Sequence, residues 1–114
     1  MGENKKSLSL AMIVKDEENC IKRCLDSVIT LVDEIIIVDT GSTDKTIEIC
    51  RTYNAQVFPY SWNNNFAEAR NFGLDKVTRD WVLWLDADEE VALENRNQLN
   101  NQTLFSDYDA LSVP

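Results

Sequence analysis

Hydrophobic positions along the chain fall into short apolar runs separated by stripes of helical spacing. The run Leu8-Ser9-Leu10-Ala11-Met12-Ile13-Val14 reads as a strand, after a polar lead-in over residues 1–7 that is expected to be disordered. From Asn19 the spacing changes, and Ile21, Cys24, Leu25 and Val28 form the stripe of an amphipathic helix. The acids of Lys15-Asp16-Glu17-Glu18 then suit the positive end of its dipole. Ile35-Ile36-Ile37-Val38 is β-branched and continuous, the pattern of a strand covered on both faces in a parallel sheet. Thr40-Gly41-Ser42-Thr43-Asp44 is a turn rich in helix-capping residues, and it feeds a second helix carrying Ile47, Ile49 and Cys50. Residues 55–58 predict a third strand stopped by Pro59. A polar loop over 61–64 precedes a third helix over 66–77, with Phe66, Ala69, Phe72 and Gly73 inward. Trp81-Val82-Leu83-Trp84-Leu85 reads as a fourth buried strand, followed by a weaker helix over 93–99 and a last strand near 110–113.

This alternation of strand and helix predicts an α/β sandwich on a mostly parallel sheet, one domain over residues 8–114. The chain stops as a strand begins, so the domain is expected to be incomplete at its C-terminus. Composition narrows the chemistry. With 20 acidic and 11 basic residues in 114, the net charge of −9 speaks against a nucleic-acid polymer or an anionic membrane as partner. There is no histidine, hence no Ser-His-Asp triad and no imidazole base or zinc ligand. Three glycines do not make a dinucleotide-binding or Walker A loop. The cysteines Cys20, Cys24 and Cys50 are odd in number and follow no secretory leader, so they are expected as buried, inert thiols in a cytoplasmic protein. The apolar runs are too short to span a bilayer.

In an open α/β sheet, ligands bind outside the carboxyl ends of the strands. The acids gather there: Asp16 and Glu17 after the first strand, Asp39 after the second, Asp86 and Asp88 after the fourth. Any one of them reads as a strand end turning polar at the solvent. Together they repel one another unless a cation or ligand offsets the charge. In Asp86-Ala87-Asp88, extended backbone points both carboxylates to one side, and two hard oxygens suit Mn²⁺ or Mg²⁺. In Asp39-Thr40-Gly41-Ser42-Thr43-Asp44, Gly41 allows a sharp turn and Asp39 can accept a nucleobase N–H. The same Ser, Thr and Asp residues serve equally as caps of the next helix. Arg70 either pairs at the surface with Glu68 or Asp75, or leans over the acidic edge toward Asp86 or a diphosphate.

Taken in order, Met12-Ile13-Val14-Lys15-Asp16-Glu17-Glu18, Ile36-Ile37-Val38-Asp39-Thr40-Gly41-Ser42-Thr43-Asp44, Glu68-Ala69-Arg70-Asn71 and Trp84-Leu85-Asp86-Ala87-Asp88-Glu89 resemble the family 2 glycosyltransferases, from Leu8 to at least Val91. Val-Asp-Thr-Gly-Ser, in place of the commoner Val-Asp-Asp-Gly-Ser, resembles a bacterial branch. The resemblance implies a GT-A fold, a Rossmann-like three-layer sandwich, cut off after its donor-binding half. It implies a nucleotide-sugar donor, often UDP-linked, and a divalent cation, Mn²⁺ or Mg²⁺, bridging Asp-x-Asp to the diphosphate. By similarity Ile13, Lys15, Glu17, Val38, Asp39 and Thr40 would line the base and ribose. Arg70, Asp86 and Ala87 would hold the nucleotide, and Asp88 would ligate the metal.

Two departures from the family pattern stand out: Thr40 replaces an Asp that contacts the base, and Asp16 replaces an Asn. The resemblance further implies inverting transfer to an acceptor hydroxyl, with a carboxylate general base in the acceptor half that nothing after Glu90 supplies. An isolated donor half is expected to be inactive and to self-associate through uncovered sheet surface. The alternatives are a nucleotidyltransferase, whose Gly- and Arg-rich loop Lys15-Asp16-Glu17-Glu18 lacks, and a non-catalytic nucleotide- or cation-binding module. A phospho-acceptor receiver domain would need a late Lys, and none follows Lys76.

Overall fold

A computed structural model describes residues 7–88 and the strand 109–112. The expected helix over 93–99 and residues 1–6 lie outside the described residues. Five strands, β1 (Leu8–Val14), β2 (Glu34–Asp39), β3 (Gln56–Pro59), β4 (Trp81–Trp84) and β5 (Asp109–Ser112), alternate with helices α1 (Ile21–Val28), α2 (Thr46–Arg51) and α3 (Phe66–Leu74). The sheet order is β3-β2-β1-β4-β5, with the first four parallel and β5 antiparallel to β4. The chain therefore builds outward on one side of β1 through β2 and β3, then crosses to the other side for β4. That reversal makes the gap at the carboxyl ends of β1 and β4 the topological switch point, where open α/β sheets take their ligands.

Side-chain parity along the strands separates two cores. Leu8, Leu10, Met12 and Val14 of β1 join Ile35, Ile37 and Leu83 against Ile21, Cys24, Leu25, Val28 and Cys50 of α1 and α2. Ala11, Ile36, Val82 and Trp84 face the opposite way, with Leu74 of α3 and Val77 packed on them. Helices thus cover both faces, which is why β1 and β2 read as continuous apolar runs rather than alternating ones. The approach of α3 is close: a Cβ on Gly73 would lie 3.1 Å from Val38 Cγ2 and 3.2 Å from Trp84 Cη2.

The polar residues inside the sheet are accounted for at its amino end. Ser9, fully buried, donates to Glu34 Oε2 at 2.7 Å, and Thr78 donates to Glu34 through both its N–H (2.9 Å) and its hydroxyl (2.8 Å). Ser7 donates from its N–H to Asp80 Oδ2 at 3.1 Å, so the chain is tied down one residue before β1.

Three elements differ from the sequence expectation. Helix α1 begins at Ile21, with no acid in its first turn, because residues 17–20 form a turn in which Cys20 and Ile21 N–H both donate to Glu17 O. Pro59 belongs to β3, which tolerates it because β3 is the sheet edge. Phe66 is 54% exposed rather than inward, since α3 buries only Ala69 and Gly73 and ends at Leu74.

Candidate functional site

Val14, Asp39 and Pro59 stand level in the parallel register, so the loops after β1, β2 and β3 leave the sheet along one rim. The first two loops are clasped together. Asp16 sits at φ +52°, in the left-handed region that Asn and Asp tolerate better than most residues. There its Oδ1 accepts the N–H of Thr43 at 2.7 Å and of Asp44 at 3.3 Å, while its own N–H donates to Ser42 Oγ. Glu17 N–H donates to Thr46 Oγ1, Glu18 N–H to Asp44 Oδ2, and Lys45 N–H returns a bond to Glu18 Oε1. Burial alone would raise the Asp44 carboxyl, but bonds from Thr46 and the Glu18 amide outweigh it and hold it low. Asp16, Glu18 and Asp44 therefore serve the loops themselves, and among the described residues no group of three or more acids or cysteines is arranged to hold a metal ion.

Asp39 is the buried acid of the rim, only 5% exposed. Its Oδ2 accepts the N–H groups of Gly41 and Ser42, each at 3.1 Å, which shapes the turn. Gly41 at φ +117° is needed for its backbone rather than for space, since a Cβ there would meet nothing within 4 Å. Asp39 Oδ1 is also buried and has no hydrogen-bond partner among the described residues. An acceptor left so costs roughly 1–3 kcal/mol unless something brings it a donor. Asp39 also lines a cavity of about 660 Å³, walled with it by Thr40, Gly41, Pro59, Tyr60, Ser61 and Trp62. Thr40 donates to Val14 O from both its N–H and its hydroxyl, each at 3.0 Å. Its hydroxyl proton being spent, Thr40 offers a ligand only lone pairs.

At the switch point, β4 runs out into Asp86, Ala87 and Asp88. Ala87 is buried in the core beneath α1 and the aspartates on either side of it are exposed, but β4 ends at Trp84 and residues 87–88 form a turn rather than the extended backbone expected. The hard oxygens of the two aspartates fit Mn²⁺ or Mg²⁺. Cys20 is a poor competitor: burial first, then the charge of and hydrogen bond to Glu17 and the charge of Asp88, push its thiol up. Burial likewise takes Cys50 to about 11, as expected of an inert thiol, and all three cysteines are free. Arg70 projects from α3 over the indole of Trp84, 5.0 Å from the ring centroid, rather than pairing with Glu68, which accepts from Tyr60, Asn63 and Asn65. The stack holds the guanidinium over the residue two before Asp86.

Lys15 is exposed and Glu17 half-buried in the loop after β1, which is bonded through the Glu17 amide to Thr46 at the start of α2. Ile13 is half-buried on the α3 side. Val38 is 0% exposed under Gly73, inside the ladder between β1 and β3, and Ala87 is buried too, so neither presents surface to a ligand here. Sequence reasoning did not single out Tyr60, Ser61 and Trp62 as cavity walls. The signal available was a tryptophan inside an otherwise polar loop.

Helices on both faces of a mostly parallel sheet, with a cavity beside one strand end and an acid pair at the switch point, are the architecture of the GT-A fold. The sequence model of glycosyl transferase family 2 matches residues 9–99, and the chain belongs to that family. It is 43% identical over 102 residues to a TPR repeat-containing protein of Synechococcus elongatus, covering 90% of this chain and 25% of that one. It is 37% identical to a glycosyltransferase of Rickettsia typhi (82% of this chain, 32% of the other) and 34% identical to the glycosyltransferase SunS of Bacillus subtilis (82% and 22%). Among solved structures, residues 1–349 of TarS from S. aureus align with a TM-score of 0.70 at 26% identity, over 89% of this chain and 32% of that one. Glucosyl-3-phosphoglycerate synthase of Mycobacterium tuberculosis, in complex with Mn²⁺, UDP and glucosyl-3-phosphoglycerate, aligns with a TM-score of 0.63 at 25% identity, over 75% and 36%. The chain spans about a quarter to a third of the length of these curated relatives.

Proposed function

We propose that the protein transfers a sugar from a nucleotide-diphospho-sugar, with UDP as the nucleotide, to an acceptor hydroxyl, and that this chain is its donor-binding part. The observation that carries the reading is Asp39, whose buried Oδ1 has no partner among the described residues and which lines a cavity at the strand-end rim where open α/β sheets take ligands. Uracil presents a ring N–H to such an acceptor. The synthase that aligns over 75% of this chain holds UDP and Mn²⁺, which supports the same donor and cation here.

In this reading Asp39 and Thr40 take the base, while Ile13, Lys15 and Glu17 line the ribose side. Arg70, held over Trp84, and the Asp86 to Asp88 turn face the diphosphate. A divalent cation on Asp88 would neutralise charge on the departing diphosphate. The chain's own contribution is to hold the donor still and its leaving group paired. Direct displacement at the anomeric carbon, with inversion, requires a carboxylate base to deprotonate the acceptor. We place that base in the acceptor half, so the 114-residue chain binds donor nucleotide without transferring sugar.

The test is calorimetric titration of UDP into the protein with and without Mn²⁺, repeated on Asp88→Ala. Binding that needs Mn²⁺, and falls at least about tenfold in the variant, is expected from the loss of a charge-assisted contact. Equal UDP binding in all three conditions, or none in any, would overturn the reading.

A further inference from the structure

The cavity beside Asp39 has a second wall whose chemistry the donor reading leaves unused. Trp62 lines it, is 45% exposed, and stacks on no other ring among the described residues. Large exposed indoles are uncommon without a use, and this one is held in place. Its Nε1–H donates to Asn64 Oδ1 at 3.1 Å, and Asn64 adopts φ +64° while making that bond. Neighbouring residues are pinned to α3, because Tyr60 OH and Asn63 Nδ2 both donate to Glu68 Oε1. With its one donor satisfied, Trp62 offers the cavity an apolar ring face. Asp39, whose buried Oδ1 lacks a partner among the described residues, lines the same cavity, and the Thr40 hydroxyl can only accept. An indole and acceptors around one cavity describe a planar heterocycle carrying a ring N–H.

We propose that Trp62 is the stacking wall of the donor site, holding the face of a keto nucleobase whose ring N–H is given to Asp39. This rests on the donor reading above and adds a positioning residue to it. Uracil and guanine carry such an N–H; adenine and cytosine do not, so ADP and CDP bind more weakly than UDP. Oδ1 is closed off as the walls stand, so the cavity wall has to shift for the base N–H to reach it.

The experiment titrates UDP, and separately pyrophosphate, into the wild type, Trp62→Ala and Trp62→Phe in the presence of Mn²⁺. Base–aromatic stacking predicts UDP binding about 10- to 100-fold weaker in Trp62→Ala. Trp62→Phe restores most of it, and pyrophosphate, which has no base, binds all three proteins alike. Indole fluorescence quenched by UDP in the wild type and unquenched in Trp62→Phe reports the stack directly. Trp62→Ala binding UDP as the wild type does would overturn the inference and leave the donor reading intact. Equal losses for UDP and pyrophosphate would overturn it in favour of a structural role for the loop. A wild type that binds pyrophosphate but not UDP would remove the donor reading, and the inference with it.

Discussion

Asp39 separates two jobs between its two oxygens. Oδ2 builds the turn by accepting from Gly41 and Ser42, and Oδ1 is left for a ligand. Asp39→Asn keeps an oxygen for the two amides and places an NH₂ where the free acceptor was. Stability, followed by thermal denaturation, is expected to change by less than about 1 kcal/mol, since the turn is retained. UDP affinity is expected to fall at least about tenfold, because a donor then faces the base N–H. A variant that unfolds, or one that binds UDP normally, would show that the two oxygens are not divided in this way. At the other end of the sheet, Glu34 reports on folding alone. Burial alone would raise its carboxyl, but bonds from Ser9 and Thr78 outweigh this and hold it below its ordinary value. Its stabilisation is therefore complete above the ordinary carboxyl range and is lost as pH falls through the lowered value. Melting temperature followed from about pH 6 to pH 3 should drop more steeply for the wild type than for Glu34→Ala. Parallel curves would contradict that assignment.

At the scale of elements, the site depends on α3 lying close to the sheet. Gly73 lets the helix settle onto Val38 and Trp84, and Trp84 in turn carries the Arg70 guanidinium. Gly73→Val forces the helix off the sheet and is expected to cost about 2 kcal/mol or more by overpacking. In a domain near this size that is a fall of roughly 8 °C or more in Tm. An unchanged Tm would mean that α3 does not pack as described. Periodicity made the element order legible in the sequence, because β1, β2 and β4 are buried on both faces and α1 carries a clean apolar stripe. The exposure of Asp86 and Asp88 on either side of a buried Ala87 was legible too, but not the turn that carries it. What the sequence did not disclose depends on how loops meet. The clasp through Asp16, Ser42 and Thr46 joins residues 26–29 positions apart, and an acid before a helix reads as a dipole partner when its amide-bonding partner is on another loop. Trp62 was hidden likewise, since exposure beside a cavity is a property of the folded rim rather than of any local spacing.

For the molecule as a whole, the division of labour follows the division of the chain. The sheet and its three loops form the edge at which the proposed donor would bind, and the Synechococcus and Rickettsia relatives are three to four times longer than the matched region. The net charge of −9 concentrates part of its acid on the same edge, where a divalent cation and a bound diphosphate would balance each other. The most direct test is an NMR titration of the ¹⁵N-labelled chain with UDP, followed by trace Mn²⁺ as a paramagnetic probe. UDP is expected to shift amides at residues 39–41 and the Trp62 indole, and Mn²⁺ then to broaden signals around residues 86–88 only when UDP is present. Shifts confined to other faces of the sheet, or Mn²⁺ broadening that ignores UDP, would contradict a donor site built at this rim.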